Sequence, residues 1–208
     1  MYKIPQFTEP DASVVETFME EHPFVTLIGC HNNTSVATQV PVLLHKADGK
    51  MVVTCHIMRH TDHYAAIEHN PDVLLLFQGS NCYVSPSWYT EKMGGTWNYQ
   101  TVHVRGKCRI MSNEETMELL ARLTARFEAE QQNPLLTSDL PKDYMPSLVG
   151  AIAGLEIEAT SIYPIFKLSQ NRDDESYKNI VHHLQSSADT EAHKISTEMR
   201  KRRPNLFD

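Results

Sequence analysis

The chain has 208 residues, 41% of them apolar and 22% charged, which is an ordinary composition for a protein that buries one full core. Its formal net charge of −7 excludes broad electrostatic attraction to nucleic acid or to an anionic membrane. The opening MYKIPQFTEPD lacks an apolar core of signal-peptide length and no run reaches transmembrane length, so a cytoplasmic protein is expected.

Thr8-Glu9-Pro10-Asp11 reads as a helix start, with a capping hydroxyl, proline in the first turn and acids near the positive end. Val15, Phe18 and Met19 then form one apolar face, and Pro23 ends the helix. Phe24 to Gly29 reads as a short buried strand. After Asn32-Asn33, the run from Val36 to Leu44 (VATQVPVLL) alternates as a second strand, with Pro41 pointing to an edge or a bulge. Asp48-Gly49 is a hairpin turn, and Met51 to Ile57 returns as the third strand. A helix is expected over His60 to His69, ending near Asn70-Pro71, followed by a central strand over Asp72 to Gln78.

Thr101 to Met111 alternates as a further strand. Ser112 with Glu115 is a capping box opening a helix whose face should be Met117, Leu120, Leu123 and Phe127. Pro134 to Pro141 reads as a loop, Lys142 to Ala153 as a short helix and Leu155 to Ile165 as a strand. Asp173 and Asp174 open a last helix to about Leu184, and beyond Ser186 the chain turns polar, with the basic run Arg200 to Arg203 expected in a solvated tail. Strands in series with helices inserted or appended indicate α+β with an antiparallel sheet, not βαβ alternation. Cys30, Cys55, Cys82 and Cys108 have no close zinc-type spacing and sit in or beside apolar runs, which points to buried free thiols.

The most informative stretch is Tyr83 to Tyr99, YVSPSWYTEKMGGTWNY. It holds both tryptophans, while aromatics make up only 8% of the chain. Its Ser-Pro-Ser and Gly-Gly breaks rule out one continuous helix. Two readings stand: a hydrophobic strand–loop–strand corner, or a platform for a flat ligand. YVSPSWY, then TWNY with VHVRG behind it, then KLSQNR at 167–172, resemble in order the PaiB-type family of FMN-binding proteins, and the likeness runs from Tyr2 to Arg172. The resemblance implies an antiparallel split β-barrel with peripheral helices, related to flavin reductases and pyridoxamine-phosphate oxidases. It implies one FMN-binding domain over residues 1–185, with a helical insertion at about 112–153 and a C-terminal helix at about 173–185, then a polar and basic tail over 186–208.

There is no GxGxxG and no GxxxxGK[ST], so a flavin phosphate would have to be held by side chains. Carried over by motif, the implied cofactor-binding residues are His56, Arg59, Ser85, Ser87, Trp97, Asn98, Tyr99, Lys167 and Gln170. The serines read equally well as turn hydroxyls and Lys167 as a solvated strand end. Where the family carries His-x-Ala-Arg-x-Asn-Pro, this chain reads His56-Ile57-Met58-Arg59-His60-Thr61-Asp62. Gly94-Gly95 replaces Val-Pro before TWNY, and Ile165 stands where a second basic residue often precedes KLSQN. Fewer basic groups imply exchangeable FMN.

No hydrolytic constellation is visible, and no residue stands out as catalytic. The resemblance implies an NAD(P)H-dependent flavin reductase-like oxidoreductase, working as a homodimer with the site at the subunit interface. The alternatives are a PaiB-like negative transcriptional regulator, although net charge and the lack of a helix-turn-helix make DNA an improbable partner, and a flavin-free or haem-binding barrel. His56, His60 and His63 have spacings that would share one face only if the whole stretch were helical, so no metal site is expected. His103 alternates with Val102 and Val104 and either lines a pocket or faces solvent.

Overall fold

The computed structural model describes residues 4–207. Tyr2, where the resemblance begins, and Asp208, the last residue of the expected tail, lie outside them. Among the described residues there are seven strands and six α-helices, and the strands form one sheet in the order β2-β1-β5-β6-β7-β4-β3. The chain divides into two compact units, one holding the residues up to Phe18, Gln78–Val102 and those from Tyr163 on, the other Met19–Phe77 and His103–Ile162. No helix among the described residues is long and apolar enough to cross a membrane.

In the second unit β1 (Phe24–His31) and β2 (Thr34–Pro41) pair antiparallel through Asn32-Asn33. Both asparagines have left-handed backbones, with φ of 49° and 60°, the geometry that matches strand twist in a two-residue hairpin. Asp48-Gly49, with φ of 50° and 76°, likewise joins β3 (Leu43–Ala47) to β4 (Lys50–Met58). The expected single strand over Val36 to Leu44 is two strands. Pro41 has no N–H to continue the ladder, and Val42 donates its own N–H to the Pro23 carbonyl at 2.8 Å instead. The two halves take the two edge positions of the sheet.

α2 (Asp62–His69) starts at Thr61, whose hydroxyl accepts the Tyr64 N–H, and ends at Asn70 before Pro71. β5 (Asp72–Val84) runs on past Gln78 into the aromatic stretch, and β6 (Thr96–Ile110) begins at Thr96 instead of Thr101. α3 (Asn113–Glu128) opens with the expected capping box of Ser112 and Glu115. Its buried face is Thr116, Leu119, Leu120 and Leu123, and Phe127 is exposed. The face is therefore rotated from the expected one and stops a turn earlier. Leu119 and Leu123 pack with Met111 and Leu43, while Leu120 packs with Val149 and Ile152, at the end of α4 (Tyr144–Ala151) and the start of β7 (Ile152–Lys167). Each fully buried leucine contributes about 1.5–3 kcal/mol of transfer free energy. Arg109 fastens the start of α3 by two hydrogen bonds to the Glu115 carboxylate, at 2.8 and 3.0 Å, and one to Glu156 at 2.8 Å.

α1 (Ala12–Glu21) begins in the first unit and ends in the second, and it is capped by Asp11, not Thr8: the Asp11 carboxylate accepts from the Ser13 N–H and hydroxyl at 2.8 and 2.7 Å. Thr8 instead bridges to Ile165. Asp173 caps α5 (Asp174–Gln185) by accepting the Ser176 N–H at 2.8 Å. The stretch expected as a polar tail forms a helix, α6 (Thr190–Arg202), capped by Asp189. Ala192, Ile195, Ser196 and Met199 are buried at helical spacing. Two of the terminal arginines are tied down: Arg202 pairs with Glu9 at 2.6 Å, and Arg203 pairs with Asp174 at 3.0 Å.

Candidate functional site

The KLSQNR segment leaves the end of β7 as a tight turn. Ser169 takes φ of 61°, a left-handed conformation that costs a non-glycine residue about 1–2 kcal/mol. The turn is held against that cost by a buried polar chain. The Ser169 hydroxyl donates to Asn98 Oδ1 at 2.9 Å, and the Asn98 amide donates to Met199 Sδ at 3.4 Å. Gln170 closes it further: its carbonyl oxygen accepts the Leu168 N–H at 2.7 Å, and its amide donates to the Phe166 carbonyl. Asn98 and Gln170 thus shape the turn with their own side chains, and Asn98 is fully buried.

Two cations emerge from this turn. Lys167 donates from Nζ to the Thr96 hydroxyl and to the Trp97 carbonyl, the latter at 3.0 Å. Burial lowers its pKa from the ordinary lysine value, and the nearby Arg172 charge adds to the shift. Arg172 lies over the Tyr89 ring at 4.4 Å and donates to Met93 Sδ, while its Nε and the Tyr89 hydroxyl are both buried without a hydrogen-bond partner. No ion pair joins either cation to a carboxylate among the described residues.

In the aromatic stretch two strand ends flank a turn, and two of its rings are exposed. Tyr83 and Trp97 are 50% and 54% exposed and meet edge to face with ring centres 6.0 Å apart. Gly95 permits that contact, since a Cβ there would collide with the Tyr83 hydroxyl and lie 3.1 Å from Pro86 Cδ. The glycine pair is thus a packing requirement at Gly95, while Gly94 faces open space. Ser85 accepts the Ser87 N–H at 3.3 Å and its hydroxyl lies 2.8 Å from that of Ser87, so both serines shape the turn at Pro86–Trp88. The loop is pinned to α5 through Trp88 stacked on His183 at 4.9 Å and through Thr90, whose N–H donates to the Ser176 hydroxyl. Tyr99 is half-buried on β6.

His56 and Arg59 belong to the other unit. Arg59 is heavily committed there: Nε donates to the carbonyls of Ile152 at 2.7 Å and Val149 at 3.3 Å, Nη1 to the Tyr64 hydroxyl and Nη2 to Asn113 Oδ1. It satisfies carbonyls at the C-terminus of α4, a favourable place for a cation. His56 sits on β4 with Nδ1 buried and unpartnered, and burial lowers its pKa. His63 lies in the first turn of α2, 2.8 Å from the Thr38 hydroxyl, and burial lowers its pKa too. His60 stands between them in a left-handed conformation, so the three histidines share no helix face. Among the described residues no three His, Cys, Asp or Glu side chains gather to hold a metal ion. His103 is half-buried, which lowers its pKa.

Arg172 and Tyr89 were not singled out as site residues by the sequence. The signal was present in the KLSQNR match, but nothing in it indicates that the arginine would lie on the ring of Tyr89, far upstream in the chain.

Residues 1–161 match the family model described as "Putative FMN-binding domain". Over 196 residues the chain is 31% identical to "Protease synthase and sporulation protein PAI 2" of Bacillus subtilis (strain 168), covering 94% of this chain and 95% of that one. Among solved structures it is similar to the FAD and heme binding protein from Mycobacterium smegmatis, with a TM-score of 0.59 and 12% identity over 77% of this chain and 73% of that one. It is also similar to the flavocytochrome Anf3 from Azotobacter vinelandii, with a TM-score of 0.55 and 13% identity over 80% and 72% of the two chains. At such identities the likeness shows an α+β fold shared with flavin-binding proteins. On the family match and the near full-length relative, the chain belongs to the PaiB-type family of FMN-binding domains.

Proposed function

We propose that the protein binds FMN exchangeably on a split β-barrel and acts as an NAD(P)H-dependent flavin reductase-like oxidoreductase. The observation that carries the reading is the pair Lys167 and Arg172, two cations with no carboxylate partner beside exposed aromatic rings. An unpaired lysine that burial and a neighbouring cation have already destabilised gains from a dianionic phosphate. The donor set fits FMN: cations and hydroxyls for the phosphate, ring faces for the isoalloxazine. When bound, FMN would supply hydride acceptance. The protein's part is to hold and exclude water. Lys167 and Arg172 bind the phosphate, Trp97 with Tyr83 covers the ring, and Asn98, Gln170, Ser85 and Ser87 position the segments that carry them. His56, Arg59 and Tyr99 enter on the family resemblance.

The barrel is supported by one residue. β2 and β3 are the two edges of the sheet, yet only Val42 separates them. In a flat seven-stranded sheet the edges would be about 29 Å apart at a strand spacing of about 4.8 Å, beyond the roughly 7.6 Å that the two Cα steps from Pro41 to Leu43 can span. A curled sheet whose edges approach removes the conflict. We further propose a cytoplasmic homodimer with the flavin site at the subunit interface, which would cover exposed Tyr83 and Trp97.

The relative's name, which joins protease synthesis and sporulation, supports a second reading as a regulator. Arg202 and Arg203 are engaged in ion pairs within the fold, which leaves less basic surface for DNA than the sequence suggests.

The test is tryptophan fluorescence of the purified protein titrated with FMN, riboflavin as control. Saturable quenching with a preference for FMN supports the reading and leads to an assay of NAD(P)H oxidation with added flavin. Absence of quenching by either ligand overturns it. Salt-sensitive DNA retention with no flavin binding would favour the regulator.

A further inference from the structure

The second unit contains a cavity of about 620 Å³ that involves none of the residues assigned to flavin. It opens between the end of α1, the β2–β3 junction and the later half of α3. Its floor belongs to the core: Met19 is fully buried, Val42 is 2% exposed, and Leu43 packs against Met111, Leu119 and Leu123. The core thus fixes the floor, while Pro23, Leu43 and Leu44 leave apolar surface accessible above it, and the volume falls within the size range of small-molecule sites.

Its mouth is charged. Arg122 and Arg126 line it from α3, one helical turn apart, so their like charges share one face. A cation in the last turn of a helix complements the dipole and accounts for Arg126. Arg122 lies a turn earlier and has no such reason. Glu20 also lines the cavity, but no ion pair joins it to either arginine among the described residues. On a chain with a formal net charge of −7, two adjacent unpaired arginines over an apolar recess are a local reversal of sign.

We infer that this recess is a binding site for a small amphipathic carboxylate, with its apolar body on the half-buried Pro23, Leu43 and Leu44 and its carboxylate between Arg122 and Arg126. Guanidinium groups suit this head because their fork matches a carboxylate's two oxygens. The apolar floor selects a hydrocarbon body over a sugar or nucleotide, whose hydroxyls would be left without partners.

The test uses 1-anilinonaphthalene-8-sulfonate as a fluorescent amphipathic anion and decanoate as the competing carboxylate. We expect saturable one-to-one binding that decanoate displaces and decyltrimethylammonium does not. Arg122→Gln with Arg126→Gln should weaken decanoate by roughly tenfold or more, the scale of a lost charge-assisted hydrogen bond. Ala125→Trp, at an exposed helix position on the cavity wall, should abolish binding by filling the space. All these positions face solvent, so the variants should keep the wild-type melting temperature. Unchanged decanoate affinity in the double arginine variant overturns the inference, and so does equal competition by the cationic amphiphile. Displacement of the dye by FMN would overturn it as well, by making the recess part of the flavin site. Dye binding lost as protein concentration rises would mean that a second copy of the chain covers the recess, and would also overturn it.

Discussion

At the residue scale the two cations carried over by the family resemblance, Arg59 and Lys167, separate in role. Arg59 spends its donors on the carbonyls of Val149 and Ile152 and on two side chains, while Lys167 meets one hydroxyl and one carbonyl. Arg59→Ala should therefore lower stability by about 1–3 kcal/mol, the cost of leaving buried acceptors without a donor. Lys167→Ala should leave the melting temperature nearly unchanged and weaken FMN roughly tenfold, with riboflavin unaffected. Thermal melts and paired titrations of both variants check this, and equal losses for the two ligands would remove Lys167 from the phosphate.

Buried histidines set the pH response. Burial depresses the native pKa of His63 and of His56 below the ordinary 6.5. The unfolded chain therefore takes up protons first, so the stability these groups lend is complete above about pH 6.5 and is lost as pH falls through their lower native values. Urea midpoints should be flat from pH 8 to 7 and decline below 6.5, with a shallower decline in His63→Gln. Glu115 acts at a lower range. Hydrogen bonds from Arg109 lower its pKa to about 2, so its contribution persists until strongly acidic pH.

At the element scale, legibility followed the strength of the local signal. Ser112 and Glu115 announced α3 because a capping box satisfies two backbone donors with residues three apart. The Asn32-Asn33 and Asp48-Gly49 turns were equally legible, since only a few residues tolerate their left-handed backbones. α6 was not. Its buried face is Ala192, Ile195, Ser196 and Met199, only two of them large, among charged neighbours that read as a solvated tail. The division of VATQVPVLL was half legible: Pro41 marked the place, but only the Pro23 carbonyl decided where the Val42 N–H would go. In the site, KLSQNR and TWNY marked the segments, yet the bond between Asn98 and Ser169 joins residues 71 positions apart and leaves no periodic trace.

Two substitutions test this scale. Ile195→Ala should cost about 2–5 kcal/mol, the range for emptying a buried aliphatic site, and a denaturant midpoint unchanged from wild type would return the last helix to the status of a tail. Gly106→Ala should cost about 1–3 kcal/mol, because the new Cβ would approach the Glu158 carbonyl oxygen to 2.7 Å and the sheet backbone there cannot yield. Circular dichroism melts of both variants measure the losses.

At the scale of the whole molecule, β5, β6 and β7 each begin in one compact unit and end in the other. The residues carried over from the family are divided in the same way, with His56 and Arg59 in one unit and the remainder in the other. A pairing of two copies is the proposal that belongs to this scale. Light scattering at micromolar concentration should give twice the mass of the 208-residue chain, and a monomer would remove the shared site.

The four cysteines are free, and three of them are buried. Burial raises the pKa of Cys55, and it pushes Cys82 and Cys108 up to about 12, so their sulfurs stay protonated at neutral pH. A thiol without its anion reacts slowly with peroxide, the by-product when reduced flavin meets oxygen. If the proposed flavin turns over in air, these three thiols would be spared. Treated with dilute hydrogen peroxide and then a maleimide, the native protein should keep Cys55, Cys82 and Cys108 unmodified and reveal them as intact thiols only after denaturation.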